Sequence, residues 1–328
     1  MNDRLNEKLS DKLNMTDYRS QVSNTAELPN FGRVAVLYGG VSAERDVSLK
    51  SGRAVAAGLR EKSIDVVELD IGEHPVAQLL QAKCDRAFIA LHGAGGEDGK
   101  MQALLDLMGI PYTGSRHQAS AIAMDKLKTK QIWSSVGLPT PKHALLTESA
   151  DWGSVLQSLH GEAFVKPIHE GSSIGMRFVV TASELKSAFD EAKHYDRAVL
   201  AEAKVTGAEY TVAILNGQAL PPIKLETDHV FYDYDAKYVS NTTRYLCPCG
   251  LSEEKSMELK TLALAAFNAI GCNAWGRVDI MQNRNGEFYL LEVNTVPGMT
   301  DHSLVPMAAK EAGLTFSDLV TEILLQTI

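Results

Sequence analysis

Residues 275–305 read WGRVDIMQNRNGEFYLLEVNTVPGMTDHSLV, and the rest of the chain is organised around this stretch. Two apolar-rich runs, 278–282 and 287–293, flank Asn285-Gly286, a strong short-range signal for a two-residue type I′ hairpin turn. With those two residues as the loop, Arg284 pairs with Glu287 and the whole ladder follows in register. Asp279 then lies opposite Glu292, and Arg277 opposite Asn294. Side chains alternate faces along a strand, so these four polar groups share one face. Val278 and Ile280, opposite Val293 and Leu291, form the other and suit a core.

Two carboxylates across a ladder repel. At roughly 5 Å and an effective dielectric of about 20, the cost is on the order of 3 kcal/mol. A cation must offset it. Arg277 is one source. The all-oxygen set of Asp279, Glu292 and Asn294 suits Mg2+, which completes its octahedron with water and phosphate. The competing reading is an ordinary surface hairpin; the strict register and the apolar opposite face favour the metal.

The chain has 328 residues, 45% hydrophobic and 22% charged, enough for two or three domains with substantial cores. Its net charge of −9 argues against a nucleic-acid surface but leaves room for a local basic nucleotide pocket. Cys84, Cys247, Cys249 and Cys272 form no zinc-like pair, so a reduced, cytoplasmic chain is expected. No apolar run is long enough to span a bilayer. Residues 1–30 form a polar extension that reads as disordered, and removal of residues 1–28 is expected to leave activity intact.

Residues 31–120 alternate strand and helix patterns: RVAVLYGG (33–40), a helix through Val47, Ala54, Val55 and Leu59, IDVVELD (64–70) and DRAFIALHG (85–93). That alternation indicates a parallel α/β sheet, whose ligands collect at the carboxyl ends of the strands. Glu44 and His92 both fall at that rim, although His92 equally suits a strand-end cap. No GxGxxG follows the first strand, so a Rossmann dehydrogenase has weak support.

In residues 121–204, Asp125 caps a helix that ends at Gly137, and Lys126, Lys128 and Lys130 each read as solvated. Two β-rich runs, AFVKP and MRFVV, enclose HEGSSIG. Its backbone N–H groups and hydroxyls can wrap phosphate oxygens while Lys166 adds a point charge; a solvent hairpin is the equal alternative. Residues 205–328 contain an aromatic, non-periodic segment, 230–250, that reads as a lid, then a helix from Ser252 to Gly271, the hairpin, and a helix beginning near Ser303.

Taken together, GGVSAERDVSLKSG, ALHGAGGEDG, Met124-Asp125-Lys126, VKPIHEGSSIGM, FYDYDAKY, WGRVDIM and LLEVNTVPGMTDHSLVP resemble the D-alanine–D-alanine ligases of the ATP-grasp superfamily, over essentially all of 31–328. The resemblance implies an α/β (α+β) three-domain ATP-grasp architecture: an amino-terminal α/β substrate domain (31–120), a central subdomain (121–204), and a carboxyl-terminal subdomain (205–328) with a lid at 226–250 and a metal-binding hairpin at 276–294. It further implies a homodimer that uses ATP and two Mg2+ ions, with Mn2+ as a possible substitute, and takes part in peptidoglycan precursor synthesis.

Residue by residue, the resemblance implies that Lys126 and Lys166 contact phosphates, Ser172 the nucleotide as well as the triad below, Glu202 the adenine, Lys204 and Val205 the hinge, and Glu209 the ribose. Asp279, Glu292 and Asn294 match the metal ligands, and Lys237 a lid residue reaching the terminal phosphate. Arg277 and the Gly298 N–H match the oxyanion donors. Glu44 matches the first substrate's ammonium anchor, with His92 beside its carboxylate, and Ser303 and Leu304 the second substrate's carboxylate site. Glu44, Ser172 and Tyr238 match a hydrogen-bonded triad; Tyr238 goes with dipeptide rather than D-alanine–D-lactate products. Another ATP-grasp ligase and a non-catalytic binding module are the alternatives, and the retained Lys166, Arg277, Asp279 and Glu292 count against the second.

Overall fold

The computed structural model describes residues 28–226, 243–300 and 302–328. Its first sheet holds β1 (Val34–Gly39), β2 (Val66–Ile71) and β3 (Arg86–Ile89), with order β2-β1-β3 and both pairings parallel. Every residue of β1 is buried, as expected of a central parallel strand covered on both faces. The crossovers are α1 (Arg45–Glu61) and α2 (Pro75–Ala82), and α3 (Lys100–Met108) follows the third strand. The carboxyl ends of β1 and β3 therefore place Glu44 and His92 on one rim, as the alternation predicts.

The helix α1 is turned differently from its apolar spacing. Val47 and Ala54 are only half-buried, while Ser48, Ser51 and Gly52 join Val55 and Leu59 on the inner face. These serines are satisfied internally. Ser48 Oγ donates to the Ala90 carbonyl at 2.7 Å and accepts from Gly39 N at 2.8 Å, closing the base of the rim.

Two short helices, α4 (His117–Met124) and α5 (Lys126–Ser135), lead to a second, antiparallel sheet of order β4-β7-β5-β6. Its strands are β4 (His143–Leu146), β5 (Ala163–Pro167), β6 (Arg177–Val179) and β7 (Val199–Ala203), backed by α6 (Trp152–Ser158) and α7 (Ala182–Ala192). Asp125 caps α5 by accepting from Lys128 N at 2.8 Å, and Gly137 beyond its end is left-handed. As expected, β5 and β6 enclose the glycine-serine loop.

The third sheet contains β8 (Gly207–Leu215), β9 (Gln218–Ala219), β10 (Ile223–Glu226), β11 (Arg244–Leu246), β12 (Trp275–Asn283) and β13 (Phe288–Asn294). Its main order is β11-β10-β8-β12-β13, with β9 on β8. Part of the stretch read as irregular, 230–250, is thus a strand: Arg244–Leu246 pairs with Lys224–Glu226. The remainder of that stretch up to residue 242, including Lys237 and Tyr238, lies outside the described residues, as do residues 1–27. The helix α8 (Glu253–Ala269), capped by Ser252, covers this sheet; α9 (Leu304–Glu311) and α10 (Phe316–Leu325) pack back on the first sheet's core.

The hairpin departs from the expected turn. Asn283, not Arg284, opposes Glu287, and the loop is the three residues Arg284-Asn285-Gly286, closed by Gly286 N donating to Asn283 O at 3.0 Å. Asn283 causes this: its Oδ1 accepts from Asn285 N at 2.9 Å and Glu287 N at 3.0 Å, an Asx-type turn. Gly286 supplies the left-handed residue, with φ +83°. A second irregularity compensates. Between Asp279 and Ile280 the register shifts by one, so Ile280 faces Leu290 rather than Leu291. Beyond that bulge the two deviations cancel: Asp279 is opposite Glu292 and Arg277 opposite Asn294, as read from sequence.

Candidate functional site

A cleft of about 560 Å3 lies between the second and third sheets. Lys166 on β5, Glu202 on β7, Lys126 at the start of α5 and the pair Asp279 and Glu292 all line it. Its apolar walls include Phe164, Met281 and Leu291. The bulge explains how Leu291 and Glu292, neighbours in sequence, both reach the cleft, where a regular strand would send one of them to the core. Lys204, Val205 and Glu209 line the end where β7 passes into β8, so the cleft gathers every described residue expected to touch a nucleotide except Ser172.

Asp279 is buried and heavily bonded. Arg277 grips it with Nε to Oδ1 at 2.8 Å and Nη2 to Oδ2 at 2.7 Å, while Thr211 Oγ1 donates to Oδ1 at 2.6 Å and Asn294 Nδ2 to Oδ2 at 3.0 Å. The counter-charge demanded by paired carboxylates is therefore present as a bidentate guanidinium. Lys126 serves Glu292 similarly, with Nζ 3.7 Å from Oε2 and bonded to the Glu170 carbonyl at 2.6 Å. No group of three or more His, Cys, Asp or Glu gathers among the described residues. Asp279, Glu292 and the Asn294 amide oxygen nevertheless offer a hard, all-oxygen donor set beside a cleft sized for a nucleotide, which fits Mg2+ shared with phosphates.

The expected solvation of the lysines fails for two of three. Lys128 is exposed, but Lys126 is largely enclosed and Lys130 is completely buried. The physical reason is helical spacing. Lys126 and Lys130 are four apart and share a face, with buried Trp133 one turn on; Lys128 points elsewhere. That i, i+4 pattern is the signal sequence reasoning missed. Lys130 and Lys166 both ion-pair with Glu202, the latter at 2.7 Å. Burial alone would push the Glu202 carboxyl up, but the two ammonium groups outweigh it and hold it below the ordinary range. Both Glu202 oxygens are thus engaged by lysines. Its carboxylate orients Lys166 as well as facing the cleft.

The adjacent serines of the loop divide their work. Ser173 lines the cleft, whereas Ser172 Oγ donates to Glu44 Oε1, joining the second sheet's loop to the first domain's rim. Both serines are left-handed, at φ +51° and +60°, a conformation that costs a non-glycine residue on the order of 1 kcal/mol or more. Glu97, half-buried nearby, accepts from Gly93 N at 3.0 Å. Burial, reinforced by the charge on Glu44, pushes its carboxyl up to about 8.

His92 does not simply cap its strand. Its Nδ1 lies 2.8 Å from the Val296 carbonyl, which can only accept, so Nδ1 carries the proton. Nε2 then accepts from Ser51 Oγ at 2.9 Å, and Ser51 Oγ accepts from Met299 N at 3.1 Å. Burial lowers the basicity of the ring and keeps it neutral, against the pull of Glu44. The result pins loop 296–299 to the first domain. Within that loop Gly298 abuts Ser303: a Cβ there would sit 2.9 Å from Ser303 Oγ. Ser303 caps α9 in position only; its Oγ accepts from Thr300 N at 2.9 Å, and Leu304 behind it is buried.

Protein-family comparison matches residues 132–325 to a model described as "D-ala D-ala ligase C-terminus" and residues 73–115 to "D-ala D-ala ligase N-terminus". A D-alanine–D-alanine ligase of Saccharophagus degradans is 63% identical over 93% of this chain and 96% of its own length. Crystal structures of the Bacillus anthracis D-alanine–D-alanine ligase superpose with a TM-score of 0.80 at 35% identity, and, for its complex with ATP, 0.79 at 32%. Each covers 90% of this chain and 97% of the neighbour.

Proposed function

The chain belongs to the D-alanine–D-alanine ligase family, and we propose that it joins two D-alanine molecules at the expense of ATP. The observation that carries this reading is the meeting of two sites. The phosphate-ready cleft of Lys126, Lys166, Asp279 and Glu292 is linked through Ser172 to Glu44 on the rim where a small amino acid would bind.

The first D-alanine carboxylate attacks the terminal phosphorus of ATP, breaking its bond to the bridging oxygen and giving an acyl phosphate and ADP. The amine of the second D-alanine then attacks the acyl carbon. Phosphate leaves with the bonding pair, the amine loses a proton, and D-alanyl-D-alanine remains. Bound Mg2+ would neutralise phosphate oxygens, held by Asp279, Glu292 and Asn294; two ions are proposed, and Mn2+ as a substitute.

The chain's own groups do the rest. Glu44 takes the first ammonium group, and Lys126 and Lys166 the phosphates. Arg277 already lies beside the metal ligands, and with the Gly298 N–H it is proposed to stabilise the tetrahedral oxyanion. The neutral His92 ring holds the Gly298 loop through Val296 and Ser51, a positioning role supported by its two bonds. Ser303 and the amino end of α9 are proposed to receive the second carboxylate. Glu202 is assigned to the adenine, Lys204 and Val205 to the hinge beside it, and Glu209 to the ribose. Lys237 and Tyr238 keep their expected lid roles as proposals.

No helix among the described residues is long and apolar enough to cross a membrane. A cytoplasmic homodimer supplying peptidoglycan precursors, with the three domain boundaries given above, completes the proposal. The test is phosphate release from ATP and Mg2+ with D-alanine, against L-alanine. D-alanine-dependent release with dipeptide formation is expected; equal release with both amino acids, or none with D-alanine, would overturn it.

A further inference from the structure

Among the described residues Lys130 is the largest charged side chain that is fully buried, yet it does not line the cleft and no proposed step uses it. Its ammonium meets groups from separate parts of the fold. From the second sheet comes Glu202 on β7, in an ion pair. From the third comes the bulged strand β13, whose Leu291 carbonyl accepts at 3.1 Å. Thr140 Oγ1 is the third acceptor at 3.0 Å, and Thr140 itself donates to the Leu290 carbonyl at 3.0 Å. Pro139 O accepts from Leu290 N at 2.9 Å, so the segment 139–140 and Lys130 together satisfy the outer edge of β13 at its irregular point.

These contacts lie directly behind the nucleotide cleft. Glu202 holds Lys166 on one wall; Leu291 and Glu292 form the opposite wall. We propose that Lys130 is a positioning residue for nucleotide binding, fastening Glu202 of the second sheet to the bulge of β13 in the third. It thereby fixes the distance between the lysine wall and the metal-carboxylate wall. The inference rests on reading that cleft as the ATP site.

The physical reason for a lysine is specific. The bulge removes Leu291 from the regular ladder, and its carbonyl needs a donor from outside the sheet. A hydroxyl or amide would supply that donor but would leave Glu202 with a single cation in a buried site, which is costly. An ammonium with three donors meets the carboxylate, the hydroxyl and the carbonyl at once. Lys130 therefore couples the charge state of one wall to the shape of the other.

The test compares wild type, Lys130→Met and Thr140→Val by calorimetric binding of ADP with Mg2+, which requires no turnover, and by KM for ATP and for D-alanine. Lys130→Met is expected to weaken ADP binding and raise the ATP KM by roughly tenfold or more, while the D-alanine KM at saturating ATP stays within about twofold. Thr140→Val, which removes one acceptor and the bond to Leu290 but leaves the charge, is expected to shift both nucleotide values by about two- to fivefold.

Unchanged nucleotide affinity in a cooperatively folding Lys130→Met would overturn the assignment, as would an equal rise in both KM values. Should Lys130→Met fail to fold, Thr140→Val decides by the same criterion. A wild-type protein that binds ADP but releases no phosphate with D-alanine would sink the proposed reaction and leave the Lys130 comparison standing.

Discussion

The hairpin 275–294 and the loop 168–176 both serve one cleft, by opposite means. On the hairpin, Asp279 is fixed by a strand on each side and by Arg277, Thr211 and Asn294. The loop runs outside any ladder, with two serines in left-handed backbone and Ser172 reaching across to Glu44. Of the charges proposed to meet phosphate, Lys166, Asp279 and Glu292 sit on strands, where their spacing is set by the sheet, and Lys126 at the start of a helix. The group that joins this loop to the rim of the first sheet, Ser172, sits in left-handed backbone and is held by its bond to Glu44. The difference separates what makes the chemistry possible from what commits the substrate to it.

The largest expected effect tests the rigid side. Glu292→Ala should reduce phosphate release on the order of 1000-fold or more while preserving cooperative unfolding, because Asp279 and any bound metal lose their cross-strand partner. Near-normal turnover would refute the metal assignment. Arg277→Ala comes next, at about 2.7–4 kcal/mol in kcat, by comparison with loss of an oxyanion donor. Since Arg277 also neutralises Asp279, a stronger requirement for Mg2+ in the variant would show how its two roles divide; an unchanged kcat would exclude the first.

On the loop side, Ser172→Ala removes a hydrogen bond to a charged group, worth about 1.5–3 kcal/mol. The loss should appear in kcat/KM for D-alanine, with ADP affinity little changed. A variant that loses ADP binding instead would place Ser172 with Ser173 in the cleft and erase the proposed division.

Glu97 feels both regions, since the charge on Glu44 raises its carboxyl and that on Arg277 lowers it. Its folded value, about 8, lies above the ordinary 4.5. Its contribution to stability is therefore complete below pH of about 4.5 and is lost as pH rises toward about 8. Melting curves of Glu97→Gln should show a flatter decline across that window than wild type; parallel declines would contradict the shift. The smallest effect belongs at the hairpin tip. Gly286→Ala, forced into φ +83° with only the Gln282 amide nitrogen near its Cβ, at 4.0 Å, should cost about 1 kcal/mol in chemical denaturation and leave turnover untouched.

Much of this was legible in the residues. Period-two alternation and an Asn-Gly signal were enough to place Asp279 against Glu292, although the turn had three residues instead of two. The placement survived because Asn283 lengthened the loop and the bulge at Leu291 removed the error. Neither feature has a periodic signature: one depends on a side-chain oxygen competing for backbone donors, the other on an external donor for a displaced carbonyl. Lys130 was hidden for a related reason. Composition treats lysine as a surface residue, and only the company it keeps at i+3, buried Trp133, shows which way the helix faces. Ser51 escaped notice because a buried serine looks polar until its partners, His92 and Met299, are known.

The bulge at Leu291 also divides the hairpin by its tolerance of altered chain length. Residues 284–286 form a tip, and the first residue of the hairpin below it to line the cleft is Met281. An added residue there can be absorbed as a longer loop. Between Glu287 and Glu292 no such freedom exists. One residue more would put Leu291 in the place of Glu292 and the Glu292 carboxylate in the buried place of Val293, and one fewer would put Val293 in the place of Glu292; either way a branched hydrocarbon replaces the carboxylate on the proposed metal face. The hairpin is thus a ruler with one sliding end and one fixed end, and the fixed end is the one that counts off the distance from the bulge to the metal face.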